Sequence, residues 1–131
     1  SDIMMPLDEC LHYPVSRTNV EESLKTTFDW AKRSKTVKRK QLLFGIIQGS
    51  TYPDLRKRAV EEIVGLGFDG YAIGGVAVGE PKELIHEVTE RTAEILPEGK
   101  PRYLMGVGTP LNVIEAIAEG VDLFDCVVPT R

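Results

Sequence analysis

The strongest constraint on this chain is a repeated alternation. Short apolar runs, LLFGIIQG (42–49), GYAIGG (70–75), RYLMGVG (102–108) and VDLFDCVV (121–128), read as buried parallel strands that close on glycine, a polar residue or Pro129. SDIMMPLDE at the front reads as a further strand. Amphipathic patterns fill the gaps. Val20, Leu24, Phe28 and Ala31 form one helical face, with Thr18 and Glu21 as a capping box at its start. Leu55, Ala59 and Ile63 form a second, with Gly65 and Gly67 at its stop. Leu84, Val88, Thr92 and Ile95 mark a helix over 82–96 that ends before Pro97. Leu111, Ile114 and Ile117 mark a fourth, ending at Gly120.

Strands that alternate with helices imply a parallel sheet with right-handed crossovers, either doubly wound or a (β/α)8 TIM barrel. The barrel is preferred, because it gathers the polar residues that follow each strand onto one face. Here these are Asp8, Gln48, the 74–80 loop, the 106–109 loop and Asp125. A whole barrel needs roughly 250 residues. The 131 residues supply about five strands and four helices, so the expected architecture is the C-terminal half of such a barrel, a single partial domain over 1–131. The chain begins on Ser1 and stops on Arg131 directly behind a strand, which fits a piece of something longer.

Composition narrows the function classes. A net charge of −4 argues against coating nucleic acid by overall charge, although residues 32–40, KRSKTVKRK, hold six basic residues and no acid. Such a run is either a solvated helix end or a phosphate contact. Cys10 and Cys126 have no Cys or His near them at metal-ligand spacing. No signal peptide or long apolar span is present, so the expected location is the cytoplasm, with no membrane partner.

The strand ends carry the chemistry. Asp8 and Asp125 are two carboxylates that a barrel brings to one mouth, and sugar-bond chemistry uses such groups around an oxocarbenium-like transition state. Alternatively each caps a helix or pairs with a base. Gln48 presents an amide that both donates and accepts; it also suits a turn. The glycines of GGVAVGE let a ligand approach the backbone, but Glu80 opposes an anion there, so a neutral planar ligand fits better. Met105 and Gly106 can floor a flat ring, or Met105 is simply core. His86 is expected on the wet side of its helix.

The strings SDIMMPLDEC, FGIIQGS, GFDGYAIGGVAVGE, RYLMGVGTP and GVDLFDCVVPTR resemble, in order and spacing, the second half of the catalytic barrel of the bacterial tRNA-guanine transglycosylases, or queuine tRNA-ribosyltransferases. The resemblance implies an enzyme, a pentosyltransferase, that exchanges the wobble guanine of tRNA anticodons for 7-aminomethyl-7-deazaguanine in queuosine biosynthesis. Asp125 matches the nucleophile that forms a covalent glycosyl ester. Asp8 matches the carboxylate that reads the base's N–H edge, and Gln48 and the Gly75 amide match the groups that hold its carbonyl oxygen. Val76 stands at a position commonly Leu, whose carbonyl accepts from the aminomethyl group. Glu80 matches the acid that stabilises that peptide's other orientation, and Met105 with Gly106 matches the floor under the base. Cys10 and Val78 agree with the bacterial pattern.

The same resemblance implies that a further essential aspartate and a stacking aromatic precede Ser1. It also implies that zinc ligands follow Arg131, so that this chain binds no cofactor itself, and that the full-length form is a homodimer with tRNA, guanine and 7-deazaguanine bases as partners. Two rivals remain: a phosphate-binding TIM-barrel enzyme using the GGVAVGE and GVGTP loops, and a catalytically silent partner subunit of a transglycosylase.

Overall fold

The structure is a computed structural model that describes residues 3–37, 40–76, 79–105 and 123–124. Among the described residues, eight elements run in the order β1 (Ile3–Met4), α1 (Arg17–Lys35), β2 (Leu42–Ile47), α2 (Pro53–Leu66), β3 (Gly70–Ile73), α3 (Lys82–Ile95), β4 (Arg102–Leu104) and β5 (Leu123–Phe124). The fourth expected helix lies outside the described residues. All strand pairings are parallel, and the five strands lie in the sheet in chain order.

This order separates the two sequence alternatives. A doubly wound sheet reverses its strand order at a switch point and splits its helices between two faces. Here α1 packs against α2 and α2 against α3, in the same sequence as the strands they connect. One layer of helices on one side of an unreversed parallel sheet is a segment of a (β/α)8 barrel.

The inner and outer faces follow from the two-residue period of a strand. A Cβ on Gly45 would meet Ile63 of α2 at 2.6 Å and Phe68 at 2.7 Å, so Leu43, Gly45 and Ile47 face the helices. There they join Tyr71, Ile73, Leu55, Ala59, Ile63 and Val88 in the main core. Phe44, Ile46 and Gln48 take the opposite, barrel-interior side. Phe44 stands beside Gly70 and Ile46 beside Ala72 in register, and a Cβ on Gly70 would lie 2.5 Å from the Phe44 ring. Large residues on one strand thus fill space left by small ones on the next, as layered barrel interiors require. Gln48 continues that inner row at its upper end.

Several local expectations shift. α1 begins at Arg17, with Ser16 as N-cap accepting from the Asn19 N–H at 3.2 Å, so the Thr18–Glu21 capping box does not form. Gly65 stays inside α2 and Gly67 (φ +79°) alone makes the cap. β1 is short, so Asp8 sits in the loop beyond it. In α3 the buried face is Val88, Thr89, Thr92 and Ala93, while Ile95 is 45% exposed and His86 is half-buried instead of wet.

Candidate functional site

Three loops meet at the C-terminal ends of the first three strands. The 5–16 segment carries Asp8 and Cys10 and is fastened to the helical layer. The Glu9 N–H donates to Thr27 Oγ1 at 3.4 Å, the Tyr52 hydroxyl donates to the Val15 carbonyl at 2.6 Å, and Arg17 bridges to Asp54 at the start of α2. The loop after β2, Gln48 to Tyr52, passes through Gly49 at φ +132° and Ser50 at φ +51°. The loop after β3 begins Gly74–Gly75–Val76 and reaches Glu80; Val76 and Glu80 are both buried.

Gln48 joins these loops. Its Nε2 donates to Asp8 Oδ2. Its amide packs against the glycines that follow β3: a Cβ would lie 2.7 Å from Gln48 Nε2 at Gly74 and 2.7 Å from Gln48 Oε1 at Gly75. Gly75 also has φ +69°, so it needs glycine on two counts. Gly75→Ala is therefore expected to cost about 1–3 kcal/mol of folding stability and to displace the Gln48 amide; urea denaturation measures the first effect, base affinity the second.

The electrostatics single out Asp8. Burial raises its pKa above 3.8, and the Gln48 hydrogen bond only partly offsets this. The sign is clear: a carboxyl whose folded pKa is raised binds its proton more tightly folded than unfolded, so its ionisation lowers stability as pH rises from 3.8 through the raised value. Asp8 is thus held charged at neutral pH in a place that disfavours the charge, the usual signature of a group kept for binding or chemistry. Cys10 is at the surface, yet loss of water around its thiol, then the Asp8 charge and more weakly that of Glu80, raise its pKa, while the Gly75 N–H directed at its sulfur lowers it. Asp8, Cys10, Gln48, Gly75 and Glu80 therefore form one constellation.

Met105 is half-buried just past β4, its N–H donating to the Ile73 carbonyl at 3.3 Å, next to this cluster. Gly106, Val78, Cys126 and Asp125 lie outside the described residues, as does Arg131. Asp125 follows Phe124 of β5, which pairs in parallel with Leu104. The basic run behaves as a helix end where it is described. Arg33 pairs with Asp29 at 3.1 Å, Lys32 lies over the Phe28 ring, and Lys35 donates to the Gly67 carbonyl. Among the described residues no group of three or more His, Cys, Asp or Glu is placed to hold a metal ion, so these residues do not fit a zinc site. Nor is any described helix long and apolar enough to cross a membrane.

One buried cation beside the site was not anticipated. Arg56 of α2 is 3% exposed and donates from all three of its nitrogens: Nε to Thr92 Oγ1 at 2.9 Å, Nη1 to the Ser50 carbonyl at 2.9 Å and Nη2 to the Gly74 carbonyl at 2.8 Å. Burial lowers its pKa to about 10 against the opposing pull of Glu80, so it remains a cation at neutral pH. The sequence carried a signal: Arg56 falls at helical spacing with Val60 and Ile63, a charge on an apolar face, which must find partners.

A family model described as Queuine tRNA-ribosyltransferase matches residues 1–131. The chain belongs to the queuine tRNA-ribosyltransferase family. Relatives named queuine tRNA-ribosyltransferase include those of Aquifex aeolicus (58% identical over 137 residues), Caldanaerobacter subterraneus (53% over 134) and Haemophilus ducreyi (50% over 135). Each match covers 100% of this chain but only 35–36% of the relative, so the chain spans about a third of the length of these queuine tRNA-ribosyltransferases.

Proposed function

We propose that this chain supplies the base-recognition wall and the nucleophile of a tRNA-guanine transglycosylase. The observation that carries the reading is the half-buried Asp8 carboxylate hydrogen-bonded to the Gln48 amide, beside the Gly75 N–H. Guanine presents N1–H and N2–H donors next to an O6 acceptor. Asp8 is acceptor-only and has lone pairs to spare after taking one Gln48 N–H; the second Nε2 hydrogen and the Gly75 amide complement O6. An isosteric base lacking those donors would leave the half-buried carboxylate with only its Gln48 partner and bind poorly.

The reaction then needs only exchange at one carbon. A carboxylate oxygen of Asp125 attacks C1′ of the flipped wobble guanosine, the C1′–N9 bond breaks, and its electron pair leaves with guanine, which takes up a proton. The incoming 7-aminomethyl-7-deazaguanine loses its N9 proton, attacks C1′ and returns the ester's electron pair to Asp125. Val76 and Glu80 border the position of the aminomethyl group, and Met105 with Gly106 supports the ring. The tRNA anticodon loop is the polymeric partner, the working form is a homodimer, the site of action is the cytoplasm, and the zinc ligands lie beyond Arg131.

The phosphate-binding alternative is disfavoured by the buried Glu80 carboxylate at the end of the glycine loop, where an anion would be repelled. The intact protein is expected to incorporate labelled guanine into tRNA. Activity should fall on acidification as Asp8 protonates, with the acid limb above 3.8 because burial raises its pKa. Failure to exchange guanine, with tight binding of a phosphate ester strengthened by Glu80→Gln, would replace this reading with the alternative.

A further inference from the structure

Base recognition as proposed requires two separate loops to keep a fixed spacing. Gln48 follows β2 and Gly75 follows β3, and the described hydrogen bonds to the Ser50 and Gly74 carbonyls beside them come from one side chain. Arg56 Nη1 holds the Ser50 carbonyl, Nη2 holds the Gly74 carbonyl, and Nε anchors the fork to Thr92 of α3. Both glycine turns are moulded on it: a Cβ on Gly49 would lie 2.7 Å from Arg56 Cγ, and one on Gly75 3.4 Å from Nη1.

We propose that Arg56 is a positioning residue for base binding, tying the Gln48–Ser50 loop to the Gly74–Gly75 loop so that the Gln48 amide and the Gly75 N–H stand at the separation a carbonyl edge requires. This rests on the base-recognition reading above. A planar guanidinium presents its donors at fixed angles and reaches three acceptors at once; a lysine ammonium is a point charge that cannot hold the same three directions. Burying a cation whose three hydrogen-bond acceptors are neutral oxygens is costly, and an apolar side chain would fill the space between α2 and α3 more cheaply. What the cation adds is geometry. The Glu80 charge also acts on the Arg56 guanidinium, favouring its charged form.

The test uses the intact protein and three variants. Arg56→Lys is expected to raise the guanine Kd about tenfold or more, the effect of losing one or two charge-assisted hydrogen bonds, while tRNA affinity moves less than about twofold. Leu96→Ala, a core truncation at the opposite end of the fold, is expected to lower Tm without moving the guanine Kd. An Arg56→Lys protein with lowered Tm and unchanged guanine Kd would overturn the proposal. If that variant does not fold, Thr92→Val, similar in shape but lacking the hydroxyl that accepts from Arg56 Nε and donates to the Val88 carbonyl within its own helix, is expected to raise the guanine Kd about threefold; no change overturns it. Amide exchange needs no ligand and separates this inference from the base-recognition reading. A joint rise in exchange at Gly49–Ser50 and Gly74–Gly75 in the variant supports the tie, and a rise at neither or at one alone refutes it, even if wild-type protein fails to bind guanine.

Discussion

Asp125→Asn in the intact protein is expected to abolish any denaturation-resistant complex with tRNA and to lower guanine exchange by on the order of a thousandfold or more. The amide retains the size and polarity of the carboxylate but lacks the anionic oxygen that forms the ester to C1′, so loss should fall on the chemical step. Binding of free guanine, which depends on Asp8, Gln48 and Gly75, should stay within about threefold of wild type. Denaturing electrophoresis of tRNA with protein and equilibrium binding of guanine check the two halves separately. A variant that still traps tRNA would remove Asp125 from its role.

Asp8→Ala should show the reverse profile. Two charge-assisted hydrogen bonds to the base are lost and Gln48 Nε2 loses its acceptor, so base affinity is expected to fall about a hundredfold or more. Folding stability at neutral pH should hold or rise, because the site disfavours the Asp8 charge and raises its pKa. The pairing of weaker binding with undiminished stability distinguishes a binding carboxylate from a structural one. Calorimetric titration with guanine and urea denaturation at pH 7 measure it; a large stability loss would mark Asp8 as a cap or ion-pair partner instead.

Much of this was legible in the sequence because parallel strands buried on both faces write themselves as apolar runs. LLFGII and GYAI are strands where the runs predicted them, and the glycines within them mark where Ile63 and the Phe44 ring come close. The gathering of Asp8, Gln48, Gly75 and Glu80 followed from the barrel rule that polar residues after parallel strands share one face. What was not legible has physical causes. The start of α1 was misplaced because Ser16 and Thr18 are both competent caps, and only the fold decides which is extended.

The face of α3 was read correctly at Val88 and Thr92, but Thr89 and Ala93 were missed and Ile95 was placed inside. Thr89 and Thr92 satisfy their hydroxyls on the Ile85 and Val88 carbonyls at 2.8 and 2.7 Å, so they enter the core at little cost, while the more apolar Ile95 stays partly exposed. Arg56 stood out as a charge on an apolar helix face, but its partners were hidden. Its three acceptors lie on Ser50, Gly74 and Thr92, far apart in sequence, and no local pattern announces them.

Base recognition turns on where guanine sits and what reads its edge. A crystal structure of the intact protein with guanine bound tests this most directly. The predicted result is the base between Met105 and the loops after β2 and β3, with the Asp8 carboxylate accepting from N1–H and N2–H and O6 receiving the Gln48 and Gly75 amides. Guanine bound elsewhere, or bound there with O6 turned toward Asp8, would contradict it.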